Sequence, residues 1–184
     1  MSILDIYCLG QPILRQETTP VEGVTDDLRR LIDDMFETMY AANGVGLAAP
    51  QVGRLERVAV VDPGDSPLVI INPEIILAEG TEKGEEGCLS IPEVFGDVER
   101  AARVRLSALD REGEPFEFDA SELAARAIQH EIDHLHGKLF LDYLGMFKRR
   151  SALARWESMK KDFPDLLRRV KHERAAPEAG KGVG

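Results

Sequence analysis

Little in this sequence points to an unusual setting. It has only two cysteines in 184 residues, Cys8 and Cys88. That is too few for a disulfide framework and fits a reduced globular protein. No apolar run approaches the roughly 18 residues of a membrane span, so an integral membrane protein is not expected. The start, Met1-Ser2-Ile3-Leu4-Asp5, has no basic stretch followed by an apolar one. We therefore expect no signal peptide and a cytoplasmic location. Internal repeats and long low-complexity tracts are lacking too. A general basic excess is absent, since 23 Lys and Arg face 33 Asp and Glu for a net charge of −10. That argues against a whole surface built to grip nucleic acid.

The length fits one domain with an appended segment, and a chain this long buries about 70% of its unfolded surface without staples. The charge is unevenly placed. Residues 1–147 hold 12 basic and 28 acidic side chains, whereas residues 148–184 hold 11 and 5. The division predicts a catalytic or binding body over 1–147, a basic C-terminal helix over 148–174 and a small, Gly-rich, disordered tail over 175–184.

Leu28, Leu31, Ile32, Met35, Phe36 and Met39 recur at helical spacing, with Thr25, Asp26 and Asp27 as the start and Asn43-Gly44 as the stop. β-branched runs at Val58–Val61, Val69–Ile71 and Val104–Leu109 predict strands, as does the alternation of Phe116-Glu117-Phe118. Pro63-Gly64, Asn72-Pro73 and Gly113 are expected to be turns. A second helix is expected from Ala120 to His136, with Asp119 and Glu122 as a capping box and Gly137 as the stop. A third covers Leu144 to Lys161, and Pro164 opens a last helical turn. Helices and strands come in blocks rather than in βαβ alternation. The expected class is α+β, with mainly antiparallel sheets packed around the His-bearing helix and a C-terminal helix.

That helix carries His130-Glu131-Ile132-Asp133-His134. Four residues are one helical turn plus about 40°, so the two imidazoles share a side and can hold one divalent ion with Glu131 beside it. A third ligand must come from elsewhere. Cys88, in Glu86-Gly87-Cys88-Leu89-Ser90, leads the candidates; Cys8 reads as an inert core thiol. One thiolate, two imidazoles and an open position describe a catalytic site rather than a closed structural one. The segment Gly44-Val45-Gly46-Leu47-Ala48-Ala49-Pro50-Gln51 has little side-chain bulk, so a ligand can lie against its backbone. It is no phosphate loop, because no Lys-Ser/Thr pair follows.

In order and spacing, Gly44–Gln51, Glu86–Ser90 and Gln129–Gly137 are similar to the three signature motifs of the peptide deformylases. Pro12-Ile13-Leu14-Arg15, Pro20-Val21, Gly137-Lys138-Leu139-Phe140 and Asp142-Tyr143 extend the resemblance over about residues 3–147. It implies an enzyme that hydrolyses the formyl group from the N-terminal formyl-methionine of nascent proteins. It further implies that Cys88, His130 and His134 hold the metal, Fe2+ in the cell with Zn2+, Ni2+ or Co2+ as substitutes. Glu131 would be general base and then acid, and the Gln51 amide and the Leu89 backbone N–H would stabilise the oxyanion. The peptide would hydrogen-bond Val45, Gly46 and Gly87 as an added strand. Val45, Leu123, Ala127 and Ile128 would line the methionine pocket, although core packing explains those four equally well.

Asp133 and Gln129 flank the ligands, and Glu86 with Arg100 is a candidate supporting ion pair. His136 faces elsewhere and is not expected to bind metal. Phe95 departs from relatives that carry a basic, peptide-contacting residue nearby. Two rival readings are a zinc endopeptidase, the usual owner of His-Glu-x-x-His, and a non-catalytic ribosome-associated protein. The basic C-terminal residues are interleaved with Leu153, Trp156, Met159 and Phe163. They read as a helix packed on the body with a solvated basic face, or as one that docks on the ribosome.

Overall fold

The computed structural model describes residues 2–64 and 66–170; the expected tail at 175–184 lies outside them. The chain runs β1 (Ile6–Tyr7), α1 (Asp26–Ala41), β2 (Gly46–Ala48), β3 (Val58–Val61), β4 (Leu68–Glu79), β5 (Glu82–Cys88), β6 (Ile91–Arg100), β7 (Arg103–Leu109), β8 (Pro115–Ser121), α2 (Glu122–Leu135), α3 (Met146–Met159) and β9 (Leu167–Arg168). Five strands form one antiparallel sheet in the order β2-β3-β4-β7-β8, β5 and β6 form a separate hairpin, and β1 pairs with β9.

The four residues of β3 explain the layering. Alternate side chains of a strand point to opposite faces. Val58 and Val60 pack with Leu28, Ile32, Met35 and Met39 of α1. Ala59 and Val61 pack with Ala125, Ala127 and Ile128 of α2. The sheet is thus covered on both faces, which is why this run reads as continuously apolar rather than alternating. Helix α1 starts where expected, with the Thr25 hydroxyl accepting from the Leu28 N–H at 3.2 Å. No helix among the described residues is long and apolar enough to cross a membrane.

Several expectations need correction. Asn72-Pro73 is not a turn but an irregularity inside β4, where the register against β7 shifts between Ile71 and Glu74. Asn72 takes φ 49°, and its side-chain amide exchanges two 2.8 Å hydrogen bonds with the Val21 backbone. That clip, together with the missing N–H of Pro73, suits a bulge. The cap of α2 is Ser121, not Asp119, because β8 runs two residues further and Asp119 pairs with Arg105 across the strands.

The basic segment is not one helix over 148–174. Helix α3 ends at Met159, and a short turn at Lys160–Asp162 leads to Pro164. Proline disfavours a helical conformation in the residue before it, and Phe163 sits at φ −120° and ψ 78°. Nor does the segment stand apart from the body. Ala152 and Trp156 are buried with Ile91, Val94, Val98, Phe140 and Leu144, and the Trp156 ring stacks on Phe163 at 5.7 Å.

Candidate active site

Helix α2 presents one polar stripe away from the sheet. Arg126, His130 and His134 follow one another at spacings of four, so their side chains stack along one side. His130 Nε2 and His134 Nε2 lie 3.2 Å apart. Cys88, at the end of β5, brings its Sγ to 3.3 Å from His134 Nε2. The three donor atoms lie within 4.8 Å of one another. Ligands at about 2.0–2.1 Å (N) and 2.3 Å (S) on one tetrahedral ion stand roughly 3.3–3.6 Å apart, so the donor set fits a single divalent ion.

Electrostatics agree with that fit. Burial and the neighbouring His130 hold the His134 imidazole well below its usual range, in the neutral form a metal ligand needs. Burial would also lower His130, but its hydrogen bonds to Cys88 and Glu86 outweigh that and raise it well above the usual value.

Glu131 is buried beside the donor set, and among the described residues its Oε2 has no hydrogen-bond partner. Burial pushes its carboxyl up to about 7. Such an orphaned acceptor, aimed where a ligand would bind, is an exception that needs a polar occupant. Gly46 of β2 makes room for it: a Cβ there would lie 2.3 Å from Glu131 Oε1.

The Gln51 side chain is held at both ends. Its Oε1 accepts from the Ala48 N–H at 2.8 Å. Its Nε2 lies 3.2 Å from Ser90 Oγ and 3.6 Å from Cys88 Sγ. The amide donor therefore points at the metal ligands. Leu89 follows Cys88 directly and packs against Gly44, where a Cβ would meet the leucine side chain at 2.7 Å.

Behind the ligands sits a buried ionic network. Glu86 accepts from Arg100 Nε at 2.8 Å and Nη2 at 2.9 Å, from Arg126 Nη1 at 2.8 Å and from His130 Nδ1 at 3.0 Å. Burial alone would raise the Glu86 carboxyl, but Arg100 and His130 win and hold it at about 2. A carboxylate on Nδ1 orients the ring and leaves Nε2 free to ligate. Arg100 also bonds Asp133, and its guanidinium lies 4.5 Å over the Tyr143 ring. The Tyr143 hydroxyl in turn donates to Asp133 at 2.9 Å. Gln129 exchanges hydrogen bonds of 3.0 and 2.9 Å with the Ala101 backbone and so pins the turn between β6 and β7 to α2. His136 instead contacts Glu17 at 2.6 Å, away from the donor set.

Gln51, Glu86, Cys88, Leu89, Arg126, His130 and Glu131 border one cavity of ≈ 510 Å³, between Gly44–Gly46 on one side and Glu85–Leu89 on the other. Val45, Leu123 and Ala127 line it. Ile128 does not: it is 1% exposed and packs into the sheet core, because one helical step past Ala127 turns it about 100° away. Sequence reasoning missed Ser90, Arg126, Tyr143 and Arg168. Only Arg126 carried a readable signal, its spacing of four from His130.

A profile of the polypeptide deformylase family matches residues 3–150. A peptide deformylase of Alkalilimnicola ehrlichii is 55% identical over 163 residues, 86% of this chain and 92% of its own length. One from Nitrosococcus oceani is 50% identical over 153 residues, 82% of this chain and 92% of its own. The crystal structure of a peptide deformylase from Legionella pneumophila superposes with a TM-score of 0.84 at 45% identity, covering 87% of this chain and 96% of that one. That of Synechococcus elongatus, in complex with actinonin, gives 0.80 at 46% identity over 84% of this chain and 86% of that one. Sequence, fold and the Cys-His-His donor set agree, and the chain belongs to the peptide deformylase family.

Proposed function

We propose that this chain hydrolyses the N-formyl group from the N-terminal formyl-methionine of nascent proteins and releases formate. The observation that carries the reading is that Cys88, His130 and His134 form one donor set beside a cavity lined by Cys88, His130, the buried Glu131 carboxyl and Gln51. Cys88, His130 and His134 would hold the ion, ferrous iron in the cell; zinc, nickel and cobalt suit the same ligands. A bound divalent ion supplies Lewis acidity and brings the pKa of water to about 7.

Glu131 takes the proton of the attacking water and delivers it to the leaving amine. The Gln51 Nε2 and the Leu89 N–H donate to the formyl oxygen as negative charge develops on it, and losing such a donor costs about 10²–10³ in rate. β2 is an edge strand of its sheet, and among the described residues β5 pairs only with β6. An extended peptide can therefore add between them through the backbones of Val45, Gly46 and Gly87. Val45, Leu123 and Ala127 line the methionine side of the cavity.

The test is formate release from a formyl-Met tripeptide by protein reconstituted anaerobically with ferrous iron. Glu131→Gln should keep the metal and lose turnover. Metal-loaded protein that releases no formate overturns the reading, and cleavage of internal bonds in unblocked peptides would favour the endopeptidase instead. We further propose a cytoplasmic location and docking of the exposed basic face of α3, including Lys148, Arg149 and Arg150, on ribosomal RNA. Such binding weakens with salt. Co-sedimentation with ribosomes that is unaltered in a Lys148/Arg149/Arg150→Ala variant would refute the docking.

A further inference from the structure

The C-terminal segment does not end on the far side of the body. Phe163 stacks on Trp156, and the Cys8 N–H then donates to the Leu166 carbonyl at 2.8 Å. Arg168 pairs with Ile6 in the short β1–β9 ladder. This return brings the half-buried Arg168 side chain to the wall of the cavity that holds Cys88, His130 and Glu131.

Arg168 has donors to spare. A guanidinium carries five N–H groups. The side-chain hydrogen bond that Arg168 makes is a long one, Nη1 to the Leu89 carbonyl at 3.5 Å. Among the described residues it has no ion pair. Arg126, the other guanidinium at the cavity, is committed elsewhere: it donates to the Glu86 carboxylate and to the carbonyls of Gly84, Val98 and Glu82.

The substrate's chemistry narrows what Arg168 can meet. A formylated peptide extends from its formyl group in one direction only. The methionine thioether is a weak acceptor, and the formyl oxygen has Gln51 and Leu89. The acceptors left are main-chain carbonyl oxygens: that of the methionine, which the added-strand pairing with Val45, Gly46 and Gly87 takes, and those beyond it. We propose that Arg168 is a substrate-binding residue that donates to such a carbonyl, so that the C-terminal strand completes the peptide site. The proposal rests on the deformylase reading above.

The test compares two substrates on the metal-loaded full chain: formyl-Met methylamide, which ends at the methionine, and a formyl-Met tripeptide amide. With Arg168→Ala, KM for the tripeptide should rise by about five- to tenfold, the worth of one hydrogen bond. Its kcat should stay within about twofold, and the methylamide should be unaffected. Arg168→Lys should recover part of the loss. Arg169→Ala, whose side chain is solvent-exposed and faces Asp5 and Asp165, should behave as wild type. Equal losses on both substrates, a fall confined to kcat, or no change at all would overturn the proposal, the first two because they place the effect on the Leu89 backbone. Failure of the deformylase reading looks different, since wild type would then release formate from neither substrate.

Discussion

Replacing Glu86 by glutamine is the most demanding single test of the site. The side chain keeps its shape but loses its charge, and one of its two oxygens becomes an NH2 group. Oε1 receives Arg100 Nε and Arg126 Nη1, while Oε2 receives Arg100 Nη2 and His130 Nδ1. Whichever way the amide is turned, its NH2 faces two donors. Two charge-assisted hydrogen bonds are lost, at about 1.5–3 kcal/mol each. A buried, hydrogen-bonded charge network with one partner removed gives a similar figure, about 3–5 kcal/mol. The two routes meet near 4 kcal/mol, a large share of the ~5–15 kcal/mol that holds a domain together. Urea unfolding of the metal-loaded protein should show that loss, and Tm should fall by roughly 10 °C. Because His130 loses the group that orients its ring, metal affinity should also drop by about 10–100-fold. Glu85→Gln, one residue away on the exposed side of β5, should change stability by no more than about 0.5 kcal/mol. A Glu86→Gln protein within 1 kcal/mol of wild type, with unaltered metal affinity, would refute the account of the network.

Gly46→Ala places a methyl 2.3 Å from Glu131 Oε1. The carboxylate must move, and turnover should fall by about 10²-fold while metal content holds. Trp156→Ala removes a buried ring and its stack with Phe163. It should cost about 3–5 kcal/mol and raise protease sensitivity between Phe163 and Arg168. Asp142 titrates lower than an ordinary carboxyl: burial would raise it, but the Arg15 ion pair and the Leu139 N–H outweigh burial. Its stabilisation is therefore present above the ordinary Asp range and is lost as pH falls through that range and below it. Asp142→Asn should flatten that part of the pH–stability curve.

The parts of the molecule that could be read from sequence are those whose burial follows a simple period. Helix α1 shows its stripe because one face meets the sheet and the other meets water. The metal helix announces itself because chemistry needs two histidines one turn apart. The β5–β6 hairpin was not legible. Glu82–Cys88 reads as a charged loop, and its one deeply buried charged side chain, Glu86, is acidic. Arg100, far along the next strand, and Arg126 and His130 of α2 together make that burial tolerable. β6 does alternate, with Val94, Val98 and Arg100 inward, but a glycine and an arginine at inward positions hide the pattern. The cavity lining was legible only in part, for a related reason. Ala127 and Ile128 are neighbours in sequence, and only the orientation of α2 on the sheet decides which one meets the cavity. The return of Arg168 left no local signal at all, since a two-residue strand gains its meaning only from its partner.

The β1–β9 ladder joins residues 6 and 7 to residues 168 and 167. Contacts of such sequence separation form late, because the loop they close is almost the whole chain. During synthesis, at about 5–20 residues per second, the strand at residues 6 and 7 waits unpaired until residues 167 and 168 have left the ribosome. The cavity wall that carries Arg168 is thus the last to be built. A chain that stops before Arg168 holds the five sheet strands and the Cys88, His130 and His134 donor set but lacks that part of the cavity wall.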